Sequence, residues 1–194
     1  MIEVRALIGH EITTHLNDVA ALRIAVFHDW PYLYDGTLAF ERQYVATYQN
    51  HPGALLVGAF DHGNLVGAST STPMEDQGAE FAAPFKSLNI APEMVLWGPE
   101  SVLLPAYRGQ GIGHRFFDLR EAHARAFGRS HVAFASVIRN LDHPKRPEHA
   151  RTNDAFWTRR GYAPLSSVGA AFSWRDVGDT DETQKQLQFW LRAV

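Results

Sequence analysis

The residues most suited to chemistry lie between positions 98 and 114, where a strand pattern leads into a glycine-rich turn and a helix pattern. The segment reads "GPESVLLPAYRGQGIGH", with Gly109, Gly111 and Gly113 at alternate positions. Glycines before a helix leave main-chain amides accessible at the positive end of the helix dipole, an arrangement that binds anions. The alternative is a tight strand-to-helix turn that holds no ligand.

Two common phosphate-binding motifs do not fit this turn. The P-loop ends in Gly-Lys-Ser/Thr, whereas Gly113 is followed by His114. The dinucleotide fingerprint has two residues between its second and third glycines, but only Ile112 separates Gly111 from Gly113. The turn therefore belongs to another class of anion site, if it binds one.

Composition excludes several classes of function. The chain has 194 residues, no cysteine and a formal net charge of −3. A disulfide framework, a thiolate nucleophile and a cysteine zinc site are therefore impossible, and without a basic stripe we expect no nucleic-acid partner. No window approaches the roughly 18 apolar residues of a membrane span, and no secretory signal pattern is present, so we expect no membrane partner and a cytoplasmic location.

The stretch "DHPKRPEHA" near residue 145 contains acidic and histidine side chains that suggest a metal site. Their spacing is irregular, two prolines interrupt them, and no His-Glu-x-x-His pattern occurs. We therefore expect no metal. The segment 139–152 is interpreted either as a flap over the substrate or as a contact between two copies in a homodimer.

The alternation of strand and helix patterns predicts an α/β (α+β) fold in one domain over residues 1–194. The predicted order is a strand ending at Ile8, a helix capped by Thr13 or Thr14, a second helix ending near His51, an antiparallel hairpin around "DHGN", an irregular segment over 73–93, the interrupted strand "MVLWGPESVLLP", a helix from Ile112 to Gly128, the strand "HVAFASVI", a short helix ended by Gly161, and strands over 169–177 and 183–194.

Arg108, Gly111 and Gly113 fit the pattern Gln/Arg-x-x-Gly-x-Gly/Ala, and "SVLLPAYRGQGIGHRFF" resembles the acetyl-CoA-binding motif of the GNAT superfamily of N-acetyltransferases. The predicted order of elements is similar to that superfamily over nearly the whole chain. The resemblance implies a three-layer domain with helices on both faces of a mixed, mostly antiparallel sheet. That sheet has about seven strands and is splayed at the cofactor-binding strand.

The resemblance also implies acetyl-CoA as cofactor and places its contacts on matching residues. The pantetheine arm pairs with the backbone of residues 101–103, the pyrophosphate lies on amides of residues 109–114, and Arg108 lies at the loop entrance. Asn153 contacts the cofactor or, alternatively, caps the short helix. The implied cofactor-binding set is Ser101, Val102, Leu103, Arg108, Gly109, Gln110, Gly111, Ile112, Gly113, His114, Asn153 and Trp157.

Gly98-Pro99 gives a physical reason for the splay that does not depend on the resemblance. Proline has no N–H for a sheet ladder, so pairing with a neighbouring strand should break there and leave backbone groups free for a cofactor arm. The alternative is that these two residues simply end one strand and begin a loop.

Acetyl transfer to an amine requires a proton acceptor, because an aliphatic ammonium has a pKa near 10.4. Glu100 lies at the predicted splay and is the candidate catalytic base; the alternative is an ordinary carboxylate at a bulge. Related enzymes often have a tyrosine that acts as the general acid at the position of Trp157, and indole cannot protonate a thiolate. Three tyrosines are candidate replacements, and the sequence favours none of them: Tyr32, Tyr34 and Tyr162.

The acceptor is expected to be a small-molecule or peptide amine. Trp30, Tyr32 and Tyr34 in "HDWPYLYDG" are candidates for an aromatic substrate wall, and a packed turn is the alternative. The first hypothesis is an acetyl-CoA-dependent N-acyltransferase that transfers the acetyl group directly in a ternary complex. A non-catalytic acyl-CoA-binding module and a nucleotide-binding protein are the other two.

Overall fold

The structure is a computed structural model that describes residues 1–7, 10–49 and 51–194, with only the backbone described for Glu80 and residues 166–168. The predicted strand end at Ile8 lies outside the described residues. The strands are β1 Glu3–Leu7, β2 Leu55–Asp61, β3 Asn64–Pro73, β4 Val95–Trp97, β5 Ser101–Leu103, β6 His131–Ile138, β7 Ala163–Arg175 and β8 Glu182–Ala193. The α-helices are α1 His10–Phe27, α2 Leu38–Ala46, α3 Ala79–Ser87, α4 Ile112–Ala126 and α5 Asp154–Arg159.

The strands form one mixed sheet in the order β1-β2-β3-β4-β6-β8-β7, and β5 pairs with β3 beside this path. The pairing of β4 with β6 is parallel, whereas the other pairings are antiparallel. The mixed, mostly antiparallel sheet is therefore confirmed. The described residues form eight strands where about seven were expected, because the interrupted strand divides into β4 and β5.

Helices cover both faces of the sheet, as the alternating side chains of β4 show. Val95 and Trp97 pack in a cluster with Phe85 of α3. Leu96 points to the opposite face and packs with Phe117 of α4. Because successive strand residues face opposite sides, one apolar strand supplies both layers of core.

Four local predictions differ from the structure. The second helix ends at Ala46 rather than near His51. Thr13 and Thr14 do not cap α1, because the helix already begins at His10 and the Thr14 hydroxyl donates back to the His10 carbonyl oxygen. The segment 73–93 is more regular than predicted, since it contains α3 between two short 3-10 turns. The strand predicted over 169–177 begins earlier, at Ala163.

The break in pairing occurs at Gly98-Pro99. The Gly98 amide donates to the Ala133 carbonyl oxygen at 2.8 Å, and Pro99 has no amide to continue the ladder. Beyond this point β5 pairs only with β3, whereas β6 continues beside β8 as far as Ile138. The two strands therefore diverge and leave an opening between them.

Arg120 of α4 lies at the apex of this opening and is almost completely buried. Its Nη2 donates to the Glu100 carbonyl oxygen at 3.0 Å and to the Ser101 hydroxyl at 2.9 Å, and its Nε donates to Ser71. A β-carbon on Gly98 would lie 2.6 Å from Arg120 Cζ, which is closer than real contacts allow. Gly98 therefore lets the guanidinium approach the broken strand and satisfy its polar groups.

We expect Gly98→Ala to destabilise the fold by roughly 1 to 3 kcal/mol, because the added methyl group must displace a buried arginine. Differential scanning fluorimetry should show a lower melting temperature, by roughly 2 to 4 °C per kcal/mol. Gly113→Ala is the matched control, since its β-carbon would meet Phe156 at an ordinary 3.6 Å. Equal melting temperatures for the two variants would contradict the close packing at Gly98.

Candidate active site

The opening between the diverging strands is a cavity of about 720 Å³, here called the β5–β6 cleft. One wall contains Ser101 and Leu103 of β5, and the facing wall contains residues 134–137 of β6. The glycine-rich loop and the start of α5 line its other sides. Sequence reasoning placed the pocket on β5 but did not identify β6 as the second wall.

The edge of β5 facing the cleft carries backbone groups that pair with no other strand in the described part of the chain. The Thr70 amide donates to the Glu100 carbonyl oxygen, and the Leu104 amide donates to the Val66 carbonyl oxygen. Glu100 and Leu104 therefore bond to β3. Because bonding alternates along an antiparallel strand, Ser101 and Leu103 direct their amide and carbonyl groups away from β3. An extended ligand with amide groups can pair with this edge as an added strand.

The glycine-rich loop presents a set of free amides at the start of α4. Gly109 and Gly111 have φ values of 77° and 80°, a conformation that favours glycine. In the described part of the chain the amides of residues 109–113 donate no hydrogen bond, and neither Gly109 nor Gly111 has a neighbour that would contact an added β-carbon. An anionic group can therefore approach the main chain at the helix N-terminus.

The other residues expected to bind the cofactor near this loop differ in what they can offer a ligand. Arg108 lies at the entrance, and its Nε donates to the Leu103 carbonyl oxygen at 3.2 Å. The side chains of Val102 and Ile112 are buried in the core, so only their backbone is available to a ligand. The His114 amide already donates to the Gly111 carbonyl oxygen at 3.1 Å, and the Gln110 side chain bonds to Ala106.

Two residues expected from the short helix line the β5–β6 cleft. Asn153 stands at the N-cap position of α5, but its side chain makes no capping hydrogen bond within the described residues. Its amide therefore remains available to a ligand. Trp157 packs between Phe134 and Trp190, with ring centroids 5.0 Å apart in each case, and forms a fixed apolar wall.

A second cavity of about 580 Å³, here called the aromatic cavity, lies on the α1–α2 side of the break. Nine aromatic side chains line it, together with four carboxylates and two guanidinium groups. The aromatic set is Phe27, Tyr32, Tyr34, Phe40, Tyr44, Phe81, Trp97, Phe172 and Trp174.

The two cavities meet at a shared wall. Five residues line both of them: Phe27, Tyr32, Pro99, Glu100 and Ala135. Glu100 and Tyr32 are the members of this wall that have polar side chains. A group that ends in the β5–β6 cleft and a group that enters the aromatic cavity can therefore meet beside a carboxylate and a phenol.

Glu100 is held in a buried cluster of charges. Arg23 of α1 pairs with Glu100 at 2.6 Å and with Glu41 of α2, and all three residues are buried. Thr70 donates to Glu100 Oε1 at 2.6 Å, and the Tyr44 hydroxyl donates to Oε2 at 3.2 Å. Burial alone would lower the pKa of Arg23, but Glu100, Tyr44 and Glu41 together raise it above its ordinary value. One guanidinium is therefore shared by two carboxylates.

The three candidate tyrosines differ in position. Tyr162 lines neither cavity, because its hydroxyl donates to Glu121 in the core behind α4. Tyr34 lines only the aromatic cavity, and burial and the nearby Glu41 raise its pKa. Tyr32 lies in the shared wall, and its hydroxyl makes no hydrogen bond to any described residue. Trp30 of the same loop lines only the β5–β6 cleft, and its ring packs against the His143 ring with centroids 5.4 Å apart.

A buried ion cluster holds the loop that carries Tyr32. Arg139, at the end of β6, makes a bidentate pair with Asp176 and also donates to the carbonyl oxygens of Pro31 and Tyr32. Trp174 Nε1 donates to the Tyr32 carbonyl oxygen at 3.0 Å. Burial alone would raise the pKa of Asp176, but hydrogen bonds from Arg139 and Lys185 lower it. The Tyr32 backbone is therefore anchored to the sheet by charge-assisted bonds.

Sequence reasoning missed Arg23 and Arg120, although each carries a recognisable signal. Arg23 lies on the stripe of α1 that also buries Val19 and Phe27. Arg120 lies on the stripe of α4 that buries Phe116 and Ala124. A charged residue at a buried position of an amphipathic helix must find polar partners, so it points to a polar network.

The described residues contain neither a membrane-spanning helix nor a metal-binding cluster. No described helix is long and apolar enough to cross a membrane. Within residues 1–7, 10–49 and 51–194, no group of three or more His, Asp or Glu side chains is arranged to hold a metal ion.

Comparisons with known proteins agree with this geometry. The family model described as "Acetyltransferase (GNAT) family" matches residues 21–152. No curated protein has significant sequence similarity to the chain. The fold is similar to an N-acetyltransferase from Staphylococcus aureus Mu50, with 12% identity, a TM-score of 0.63, and coverage of 100% of this chain and 98% of that one.

Two further solved structures are similar in fold over nearly their full length. A ribosomal-protein-alanine N-acetyltransferase from Brucella melitensis has 12% identity and a TM-score of 0.64, covering 99% of both chains. An acetyltransferase from Streptococcus agalactiae has 16% identity and a TM-score of 0.62, covering 100% of this chain and 98% of that one. Because the family model matches more than half of the chain, the protein is an enzyme of the GNAT acetyltransferase family.

Proposed function

We propose that residues 1–194 act as one domain that transfers an acetyl group from acetyl-CoA to a primary amine, with both substrates bound at once. The observation that carries this proposal is the shared wall: the β5–β6 cleft and the aromatic cavity meet beside Glu100 and Tyr32. A donor and an acceptor can therefore approach from opposite sides. No cysteine exists to hold an acyl group, which favours direct transfer.

The β5–β6 cleft fits the parts of acetyl-CoA in order. The free amides of residues 109–113 suit the pyrophosphate, and the open edge at Ser101 and Leu103 suits the amides of the pantetheine arm. Asn153 and Trp157 complete the wall. The cofactor, when bound, supplies a thioester as the acyl donor.

The overall reaction breaks the carbon–sulfur bond of the thioester and forms a carbon–nitrogen bond. An ammonium group loses two protons in becoming the amide nitrogen; one leaves with the CoA thiol and the other goes to solvent. Glu100 is the group of the shared wall that can accept a proton from the acceptor, directly or through a water molecule. Arg23, Thr70 and Tyr44 hold its carboxylate in place for this step.

Tyr32 takes the place of the absent acid as a hydrogen-bond donor. Burial and the Glu100 charge raise the pKa of Tyr32 to about 12. Full proton transfer from such a phenol to a thiolate with a pKa near 8.5 is uphill by about 5 kcal/mol. The hydroxyl instead keeps its proton and stabilises the negative charge that develops at the reacting centre.

We expect CoA to raise the melting temperature of the protein, whereas ATP and NAD should have little effect, because the open β5 edge is suited to pantetheine. Differential scanning fluorimetry with each ligand in excess tests this. Gly111→Ala should weaken the shift by CoA, since its φ of 80° disfavours a side chain. A shift with ATP but not with CoA would favour the nucleotide-binding alternative.

We expect Glu100→Gln to lower kcat by roughly 100-fold with CoA affinity preserved, because the amide cannot accept the proton. Release of CoA, followed with a thiol reagent, measures the rate. Glu41→Gln is the matched control, since it also removes one negative charge beside Arg23, but Glu41 lines only the aromatic cavity. If Glu100→Gln and Glu41→Gln lowered kcat equally, Glu100 would have a structural role. If the unmodified protein bound CoA without turnover, the non-catalytic module would be favoured.

We expect Tyr32→Phe to lower kcat by roughly 100-fold, with the KM for acetyl-CoA unchanged, because one hydrogen bond to developing charge is lost. Because Tyr32 titrates only near pH 12, the pH dependence of kcat below pH 9 should keep its shape. Tyr34→Phe is the control from the same loop, and we expect a smaller effect from it. Full activity in Tyr32→Phe would exclude the hydroxyl from the reaction.

A further inference from the structure

The charges of the aromatic cavity are unbalanced. Its four carboxylates outnumber its two guanidinium groups, and each guanidinium is already paired within the protein. Arg175 pairs with Asp35 at 2.6 Å at the rim, and Arg23 is shared by Glu41 and Glu100 at the inner end. Each described cation of the cavity wall is therefore already paired with at least one carboxylate.

Three further cations that lie behind or beside the cavity wall bind other groups. Arg120 is attracted to the Glu100 charge, but it lines the β5–β6 cleft and donates to serine hydroxyls and carbonyl oxygens. Lys185 and Arg139 lie over the Trp174 ring and pair with Asp176. Glu182, at the wall of the cavity, has no salt bridge to any described residue. The cavity is therefore suited to a cation and unsuited to a carboxylate.

The aromatic residues divide into an inner group and an outer group. Arg23 lies over the inner rings of Phe27 and Tyr44, at 5.1 Å and 4.3 Å from their centroids. Arg139 and Lys185 lie over the Trp174 ring. Within the described residues no cation lies over Phe40 or Phe172, and both rings are strongly exposed, at 57% and 50%. Exposed aromatic rings at a cavity mouth are a surface that an apolar ligand group can cover.

We propose that the acceptor is an apolar-bodied primary amine without a carboxylate beside the amine, of the arylalkylamine type. Its ammonium lies at the inner end beside Glu100, and its apolar or aromatic body covers Phe172 and Phe40 at the mouth. This inference rests on the proposed function and adds the chemical class of the substrate. The cavity volume of about 580 Å³ accommodates a molecule of this size.

The test compares acceptors that differ by one feature. Phenylalanine amide and phenylalanine have the same body, and only phenylalanine carries a carboxylate, so we expect at least a tenfold higher kcat/KM for the amide. 2-Phenylethylamine and ethylamine differ only in the ring, and we expect kcat/KM to be at least tenfold higher for 2-phenylethylamine. A preference for phenylalanine, for ethylamine or for 1,4-diaminobutane would overturn the proposal.

A matched pair of variants tests the placement of the apolar body. Phe172→Ala should raise the KM for 2-phenylethylamine at least fivefold, whereas the KM for acetyl-CoA should change little because Phe172 does not line the β5–β6 cleft. Phe127→Ala is the control, because Phe127 is similarly exposed, at 48%, but lines neither cavity. Equal KM values for 2-phenylethylamine in the two variants would overturn the placement of the apolar body. The placement would also be overturned if both variants acetylated a peptide amine at the same rate.

The outcomes separate this inference from the proposed function. If amines are acetylated without preference for an apolar body, the substrate class is wrong and the acetyltransferase activity stands. If no amine in the panel causes release of CoA although CoA raises the melting temperature, the proposed function fails together with the substrate class.

Discussion

The site depends on one interruption of backbone pairing. Pro99 cannot donate to β6, so the ladder between β4 and β6 stops at the Gly98 amide. A broken strand in the middle of a sheet would normally leave buried polar groups without partners, which costs free energy. Arg120 removes much of that cost because it donates to the Glu100 carbonyl oxygen and to the hydroxyls around it.

The same interruption places the charged groups. Since the chain turns away from β6 at Pro99, the next residue, Glu100, faces the junction between the β5–β6 cleft and the aromatic cavity. A lone buried carboxylate is costly, and Arg23 offsets that cost from the opposite face of the break. Burial of Arg120 lowers its pKa, and its bonds to neutral oxygens keep it in place.

The loop between α1 and α2 is held by long-range contacts. The loop with Trp30, Tyr32 and Tyr34 lies far along the chain from Arg139 and Trp174, yet these residues bind its carbonyl oxygens. The loop therefore contributes to both cavities, with Trp30 on the cleft side and Tyr34 on the other. A rigid loop of this kind can hold Tyr32 at the shared wall without a hydrogen bond to its hydroxyl.

Sequence alone determined the elements whose causes are local. The glycine pattern from Gly109 to Gly113, the missing amide of Pro99 and the helical period of α4 act through neighbouring residues. The mixed sheet, the splay and a glycine-rich turn with free amides could therefore be predicted. Tertiary structure decided which distant groups meet. Packing between elements far apart in the chain brings Arg23 to Glu100 and Arg120 to Gly98, and it places Tyr32, rather than the other two tyrosines, at the shared wall. Such packing leaves only weak signals in a linear sequence, for example an arginine on the apolar face of a helix.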